Sequence, residues 1–317
     1  MDRAYPYSPV KHEGAVSSPR GTRTPSALRR RLNQGVHAVK WAALRWLYRR
    51  DIAEVGLRLC AHPFTPILDR YPEIPLKVVR PYLTVGLKRG GRAAAVIGHY
   101  EAAARLLTDA ALIVSHTGGL ELFALATQAG QVTVELGGQN GLHREAEWRL
   151  VLCLDRRPIA EMGLAIVDRS LLCIEGAGEV LWIGVLKGSA GAQSLEDARI
   201  LTNVMEGLRP KTVLLLVAQA LGRSLNLYDL LAVSNAGHVF ATDYSLRRRI
   251  LADYDGFWTE SGGLREGPLM FAMPMAKVRR EIAEYKPNKR ARVRRRWRLE
   301  DQLTEQVKES IRPLLRR

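Results

Sequence analysis

Residues 180–191, VLWIGVLKGSAG, begin the part of the sequence that decides the fold. The apolar run 180–187 predicts a buried strand, and the small residues after it predict a turn. Helical patterns follow at 195–206 and 210–221, separated by Gly207 and Pro210, and residues 229–234 predict another strand. A strand, a helical crossover and a further strand indicate a sheet covered by helices.

Short strand patterns precede this segment, at residues 131–136, 150–154, 161–168 and 171–175. Turn residues separate them, and their spacing indicates an antiparallel meander. Residues 93–107, 118–129 and 244–253 predict helices, and residues 254–267 predict a loop. The summed pattern predicts an α+β fold with an antiparallel-to-mixed central sheet flanked by helices.

The composition is that of a globular chain, with 317 residues, 47% hydrophobic and 25% charged. No apolar run approaches the roughly 18 residues of a membrane span, and the N-terminal segment lacks the apolar core of a secretory signal. Cys60, Cys153 and Cys173 form no CxxC pair, and the seven histidines are scattered singly. These features predict a cytoplasmic protein without a metal centre.

Positive charge is concentrated at both ends of the chain. Residues 1–50 carry 11 Lys and Arg against 2 Asp and Glu, and residues 277–317 carry 15 against 6, within a net charge of +16. The second arm includes a dense set of cations: Lys289, Arg290, Arg292, Arg294, Arg295, Arg296 and Arg298. Clustered cations attract polyanions, so the arms predict contact with tRNA, another nucleic acid or an anionic membrane face. The alternatives are solubility for the first arm and internal salt bridges for the second.

These patterns divide the chain into four parts. Residues 1–25 predict a disordered lead-in, and residues 26–50 a basic amphipathic helix. Residues 51–276 predict the α+β domain, with its central part at about 131–240, and residues 277–317 an arginine-rich helical arm.

An ordered set of short strings resembles the VirK/YbjX family of bacterial proteins. The strings are His62-Pro63, Gly98-His99-Tyr100, IGVLKG (183–188), GLRPK (207–211), VSN (233–235) with His238, DYDGFWTE (253–260), and Lys289-Arg290 leading into 294–296. They span about residues 45–305. The resemblance implies a cytoplasmic bacterial protein linked to virulence, envelope stress, resistance to cationic peptides and DNA damage, and it supplies no reaction. Family members usually carry glutamine at Lys187 and a Thr-Lys pair at Thr202-Asn203.

The segment 180–234 also resembles the donor-binding core of the GNAT-like acyltransferases. In those proteins, backbone N–H groups of a small-residue loop and a helix N-terminus hold a pyrophosphate. This resemblance assigns donor binding to Lys187, Gly188, Ser189, Gly191, Arg209 and Lys211. The alternatives are a plain strand-to-helix connection at the glycines and a structural salt bridge at the two cations after Gly207.

Carboxylates and a histidine supply candidates for proton transfer. The predicted catalytic residues are Glu161 on a strand, Asp255 beside aromatic residues, and His238. Aromatic walls raise the pKa of a carboxyl group such as that of Asp255 toward neutrality, which suits a general base. The predicted substrate contacts are Asn235, Asp253, Trp258 and Glu260. As an alternative, the acidic loop pairs with the arginine arm.

The sequence therefore supports two functions. The first is a GNAT-like transferase that moves an acyl or aminoacyl group onto an amine or hydroxyl. Its donor is acyl-CoA or aminoacyl-tRNA, and it has no permanently bound cofactor. The second is a non-enzymatic basic protein that binds nucleic acid or the inner membrane face during envelope stress, virulence or resistance to antimicrobial peptides.

Overall fold

The computed structural model describes residues 39–188, 192–241 and 252–316, with backbone alone at 192–194. Described residues from Leu44 onward form one compact unit. The predicted lead-in, and the first part of the predicted helix 26–50, lie outside the described residues, and residues 39–47 are helical.

An eight-stranded sheet organises this unit, in the order β1-β2-β3-β4-β5-β6-β8-β7. The strands are Gly119–Thr127, Gly130–Gly138, Trp148–Leu154, Arg157–Asp168, Glu179–Gly188, Leu230–Val233, Leu264–Glu266 and Met270–Met273, numbered β1 to β8. Neighbouring strands are antiparallel except β5 and β6, which run parallel. The predicted α+β class with a mixed, mostly antiparallel sheet is confirmed.

Eight helices accompany the sheet among the described elements. They are Arg49–Leu59, Thr65–Arg70, Gly91–Leu106, Asp109–Thr117, Ala192–Val204, Pro210–Ser224, Tyr254–Glu260 and Pro287–Ile311, numbered α1 to α8. Helix α3 packs on β4, α6 packs on β3, β4 and β5, and α8 packs on α6 and β1. Six consecutive residues of β4, 162–167, are buried, which indicates that both faces of the sheet are covered.

Strands β5 and β6 leave a gap between their carboxyl ends. Strands β5 and β6 pair from Leu181–Leu230 to Ile183–Ala232. Beyond this point β5 continues to Gly188 against β4 alone, while β6 ends at Val233. Parallel neighbours require a long crossover, which α5 and α6 provide. The carboxyl ends of the two strands therefore separate on the same side of the sheet.

Several local predictions are wrong. Residues 118–129 form β1 rather than a helix, because pairing with β2 through the turn at residues 127–130 overrides the helix preference of Leu, Ala and Glu. Residues 169–172 form a 3-10 helix rather than the strand predicted at 171–175, and the Asp168 side chain accepts a hydrogen bond from the Ser170 N–H at its start.

The predicted loop 254–267 contains α7 and β7. Helix α7 begins there because the Asp253 carboxylate caps it, accepting from the Gly256 N–H. The helix predicted at 244–253 falls mostly on residues outside the described part of the chain.

Candidate functional site

A groove of about 890 Å³ lies at the carboxyl end of β5. Gly188 and Ala160 form its floor, α5 forms one wall, and the start of α6 and the length of α7 form the other. Five residues of the predicted site line it: Gly188, Arg209, Lys211, Asp253 and Glu260. In sheets with parallel strands, ligands bind outside the carboxyl ends where neighbouring connections diverge, and this groove has that position.

Gly188 presents bare backbone to the groove. It is paired with Ala160 at the end of the β4–β5 ladder, and among the described residues a Cβ added to it would meet only the Ile159 carbonyl oxygen, 3.9 Å away. With respect to those residues, the missing side chain leaves open space rather than relieving a clash. Ser189 and Gly191 lie outside the described residues, so their assignment to donor binding stays a prediction.

Arg209 and Lys211 stand at the start of α6, which begins with Pro210 at a position where a missing N–H costs nothing. Arg209 Nη2 lies 2.7 Å from Glu260 Oε2, and both side chains are 61% exposed. Such an exposed pair contributes little to stability. It leaves Arg209 able to exchange its carboxylate for another anion.

Lys211 is half-buried, and it makes no salt bridge with any described residue. Its Nζ lies 6.0 Å from the centre of the Phe257 ring. Burial lowers the pKa of Lys211, the charge of Arg209 lowers it further, and Asp253 opposes both. A cation that is partly desolvated and lacks a paired carboxylate is suited to receive an anionic ligand.

Two predicted site residues have partners within the protein at the start of α7. The Asn235 amide oxygen accepts from the Tyr254 N–H at 2.9 Å, its Nδ2 donates to Asp253 at 3.2 Å, and its backbone N–H donates to Asp255 at 2.8 Å. Asn235 thus joins the β6 end to α7. Asp255 also pairs with Arg265. Substrate binding by Asn235 and catalysis by Asp255 stay predictions.

Trp258, a predicted substrate contact, lies in the core. Its ring is fully buried, and its Nε1–H donates to the Val233 carbonyl at 2.8 Å. The alternative pairing of the acidic loop with the arginine arm is not seen for Glu260 or Asp255 in the described part of the chain. Glu260 pairs with Arg209 and Asp255 with Arg265 among the described contacts.

Glu161 and Lys187 face each other across the β4–β5 ladder, outside the groove. Lys187 Nζ lies 2.7 Å from Glu161 Oε1, and Arg149 lies 3.2 Å from Glu161 Oε2. The charge of Lys187 is therefore matched within the protein, and Glu161 lies between two cations. This geometry does not favour either predicted role.

His238 lies beside Glu145, a residue that the sequence patterns did not single out. Glu145 Oε1 is 3.9 Å from His238 Nε2, and both side chains are buried. Burial lowers the pKa of His238 to about 4 and raises the pKa of Glu145 to about 7. Both groups therefore tend toward their neutral forms, and the stacked Tyr254 ring, 5.5 Å from His238, encloses the pair.

Gly184 sets the position of the Glu145 segment. A Cβ added at Gly184 would overlap the Glu145 carbonyl oxygen, so the β5 backbone and the 145 segment touch directly. We expect Gly184→Ala to lower the free energy of unfolding by about 1–3 kcal/mol, the usual cost of overpacking. Urea denaturation measures this loss, and Gly98→Ala, where an added Cβ meets nothing within 4 Å, is the control. Equal stability of the two variants would contradict the prediction.

The dense cations of the arginine-rich arm lie in the first half of α8. Arg295 Nε lies 2.8 Å from Glu206 Oε1, and Arg296 Nε donates to the Glu206 carbonyl at 2.9 Å. Arg290 donates to the carbonyls of Tyr285 and Ala283. Four further cations are exposed and have no ion pair with a described residue: Lys289, Arg292, Arg294 and Arg298. The arm is thus partly internal scaffold and partly open positive surface.

Two kinds of feature are absent from the described residues. No cluster of three or more His, Cys, Asp or Glu there has the geometry to hold a metal ion. No helix in that part of the chain combines the length and apolar character needed to cross a bilayer.

The fold and groove define an α+β protein with one parallel strand pair in a mostly antiparallel sheet and an open cationic site at the ends of that pair. The profile of the protein family of unknown function DUF535 matches residues 30–309. The chain belongs to this family, the VirK/YbjX family. It is 28% identical over 249 residues to the uncharacterized protein YbjX of Escherichia coli K12, covering 76% of this chain and 73% of that protein. No solved structure matches significantly.

Proposed function

We propose that the groove binds the phosphate-bearing donor of an acyl or aminoacyl transfer, with acyl-CoA or aminoacyl-tRNA as the donor. One observation carries the proposal: Lys211 and Arg209, two cations that have no buried carboxylate partner among the described residues, line a groove beside bare backbone at the carboxyl end of a parallel strand pair. A strand, helical crossover and parallel strand are also what the resemblance to GNAT-like acyltransferases implies.

The transfer needs few groups from the protein. The acceptor nitrogen or oxygen bonds to the acyl carbonyl carbon, and the bond from that carbon to the donor sulfur or ribose oxygen breaks. The proton lost by the acceptor ends on the departing group. Asp253 lines the groove, and its Oδ1 accepts from Asn235 and from the Gly256 N–H, so its Oδ2 takes this proton and passes it to the departing group. Lys211 and Arg209 hold the donor phosphates.

Lys211→Gln tests the groove. Because a charge-assisted hydrogen bond contributes about 1.5–3 kcal/mol, we expect the dissociation constant for the donor to rise about tenfold or more. Isothermal titration calorimetry with an acyl-CoA, and filter binding with charged tRNA, measure the change. Lys88→Gln, which removes an exposed cation that does not line the groove, is the matched control and leaves binding unchanged.

Two results would overturn the proposal. One is that the wild-type protein binds neither acyl-CoA nor charged tRNA. The other is that Lys211→Gln and Lys88→Gln weaken binding equally, since the effect would then come from net charge and not from the groove.

A further inference from the structure

A second, more enclosed cavity of about 450 Å³ lies between α6, α8 and the segment 274–285. Apolar side chains of α6, together with Val293, form its base. Five cations line it, against the single carboxylate of Glu260: Arg209, Lys277, Arg279, Arg280 and Arg296. The rings of Tyr285 and Trp297, with centroids 6.2 Å apart, close one side. A cavity with cationic and aromatic walls is chemically suited to a nucleotide.

Two arginines meet at Gly207, which lines this cavity: Arg296 lines the cavity as well, and Arg292 lies against Gly207 from outside the lining. An atom placed at the Cβ position of Gly207 would lie 2.6 Å from Arg296 Nη2 and 3.1 Å from Arg292 Nη2. Gly207 has φ +86°, a conformation that strains residues with a side chain, and the missing Cβ admits both guanidinium groups. Two like charges are therefore held against the same short stretch of backbone.

The nearby carboxylates do not neutralise the charges of Arg292 and Arg296. Glu206 Oε1 pairs with Arg295, while Arg296 bonds to the Glu206 carbonyl oxygen. Arg292 has no ion pair with a described residue. Elsewhere around the cavity, Glu300 and Asp301 hold Lys277 and Arg279. The uncompensated charge is thus concentrated where Arg292 and Arg296 meet, and guanidinium pairs are the preferred partners of phosphates.

This cavity adjoins the groove of the proposed function. Arg209 and Glu260 line both spaces, and their exposed ion pair stands between them. An acyl group on the terminal ribose of a nucleic acid lies close to the first phosphates of that strand. A strand whose phosphates lie at Arg292 and Arg296 would extend past Arg209 toward the groove that Lys211 lines.

We infer that this cavity binds the single-stranded 3′ end of an RNA, so that the donor of the proposed transfer is aminoacyl-tRNA and not acyl-CoA. Arg292 and Arg296 hold phosphodiester groups, and Trp297 and Tyr285 contact a base. The inference rests on the proposed function for the identity of the groove, but RNA binding itself requires no transfer.

The test uses the full chain and a short fluorescein-labelled single-stranded RNA that ends in CCA. We expect Arg292→Gln/Arg296→Gln to weaken binding about tenfold or more in fluorescence anisotropy. Because each phosphate contact contributes about 0.7 to the slope of log K against log salt for single strands, the slope should fall in magnitude by about 1.4.

Arg294→Gln/Arg298→Gln is the matched control, since it removes the same charge from exposed positions of the same helix that neither line the cavity nor approach Gly207. It should change binding less than threefold. Circular dichroism checks that each variant is folded. Should Arg296→Gln disturb α8, Arg292→Gln alone carries the test, because Arg292 has no ion pair there to lose.

Three outcomes would overturn the inference: no binding of the RNA by the wild-type protein, equal weakening by the two double variants, or binding of anionic phosphatidylglycerol vesicles with no binding of RNA. Failure here is distinct from failure of the proposed function. If acyl-CoA binds in a way that depends on Lys211 while the RNA does not bind, the groove proposal stands and the RNA donor is wrong.

Discussion

Replacing Lys77 by methionine should lower the free energy of unfolding by about 3–5 kcal/mol, the largest effect that we expect from a single substitution in this chain. Lys77 Nζ lies 2.6 Å from Glu147 Oε2, and the two side chains are 2% and 0% exposed. Removing the cation leaves a carboxylate in the core without its counter-charge, and the desolvation cost is no longer offset.

The surrounding contacts make this pair the centre of a buried network. Tyr100 donates to Glu147 Oε2 at 2.6 Å, Tyr82 donates to Oε1, and Lys77 also donates to the Ala146 carbonyl at 3.2 Å. Burial lowers the pKa of Lys77, and Glu147 opposes this change. The network therefore joins the 3-10 helix Ile74–Val79 and α3 to the segment that enters β3.

A double-mutant cycle distinguishes lost pairing from lost packing. Lys77→Met/Glu147→Gln should be more stable than Lys77→Met alone, because the amide carries no charge, its oxygen accepts from one tyrosine O–H, and its NH2 donates to the oxygen of the other tyrosine. Urea denaturation measures the midpoint and slope for each variant. Lys88→Met, at an exposed position, should change stability by less than about 0.5 kcal/mol. A loss below about 1 kcal/mol for Lys77→Met would show that the pair is not a buried ion pair.

The sequence predicted the sheet well where strands alternate or are continuously apolar, as in β4 and β5. It failed at β1, whose Leu, Ala and Glu favour a helix and whose strand state depends on pairing with β2. A short apolar segment does not by itself distinguish strand from helix, since long-range pairing decides its state. The same holds for α7, where the cap at Asp253 was the only local signal.

The candidate site was also predictable from the sequence only in part. Gly188, Arg209, Lys211, Asp253 and Glu260 come from three separated segments, and the fold brings them to one groove. Their residue types were readable from the sequence because glycine and cations at a helix start suit anions. The direction of each side chain was not readable, since it depends on tertiary packing.

Three residues show what such packing hides. Trp258 points into the core, and its Nε1–H donates to a carbonyl of β6, although other residues of α7 line the groove. Lys77 and Glu147 meet across 70 positions of sequence, and the local sign was only a lysine within the apolar run IPLKVV. An isolated charge in such a run predicts a buried partner without identifying it.

The second large expected effect is acid destabilisation through buried neutral histidines. His99 Nδ1 accepts from the Ile166 N–H at 3.0 Å, and His116 Nδ1 donates to the Leu112 carbonyl at 2.8 Å. These bonds fix the tautomers, so His99 Nε2–H donates to His116 Nε2 at 3.0 Å. Protonating either ring places a donor where an acceptor is required, beside the charge of Lys77.

The direction of the pH effect follows from the pKa values. Burial lowers the pKa of His116 to about 4 and that of His238 to about 4, and it lowers the pKa of His99 well below its usual value. The unfolded chain therefore binds more protons than the folded chain between pH 6.5 and 4, and stability falls as pH falls through this window. The Glu145 pKa, raised to about 7, acts oppositely, because its contribution is present at low pH and is lost as pH rises through 7.

Three histidines outweigh one carboxyl, so acidification from pH 6.5 to 4 should remove about 3 kcal/mol or more of unfolding free energy, at about 1.4 kcal/mol per unit of pKa shift. Urea denaturation at a series of pH values measures the slope. The His116→Asn variant should be less stable than the wild-type protein at pH 7, because it loses the His99–His116 hydrogen bond. Its stability should depend less steeply on pH, because it lacks one of the histidines whose protonation is suppressed by folding. His62→Asn, at an exposed position, is the control and should retain the wild-type slope. A slope that is the same in all three proteins would mean that carboxylates, and not the buried imidazoles, set the acid sensitivity of the fold.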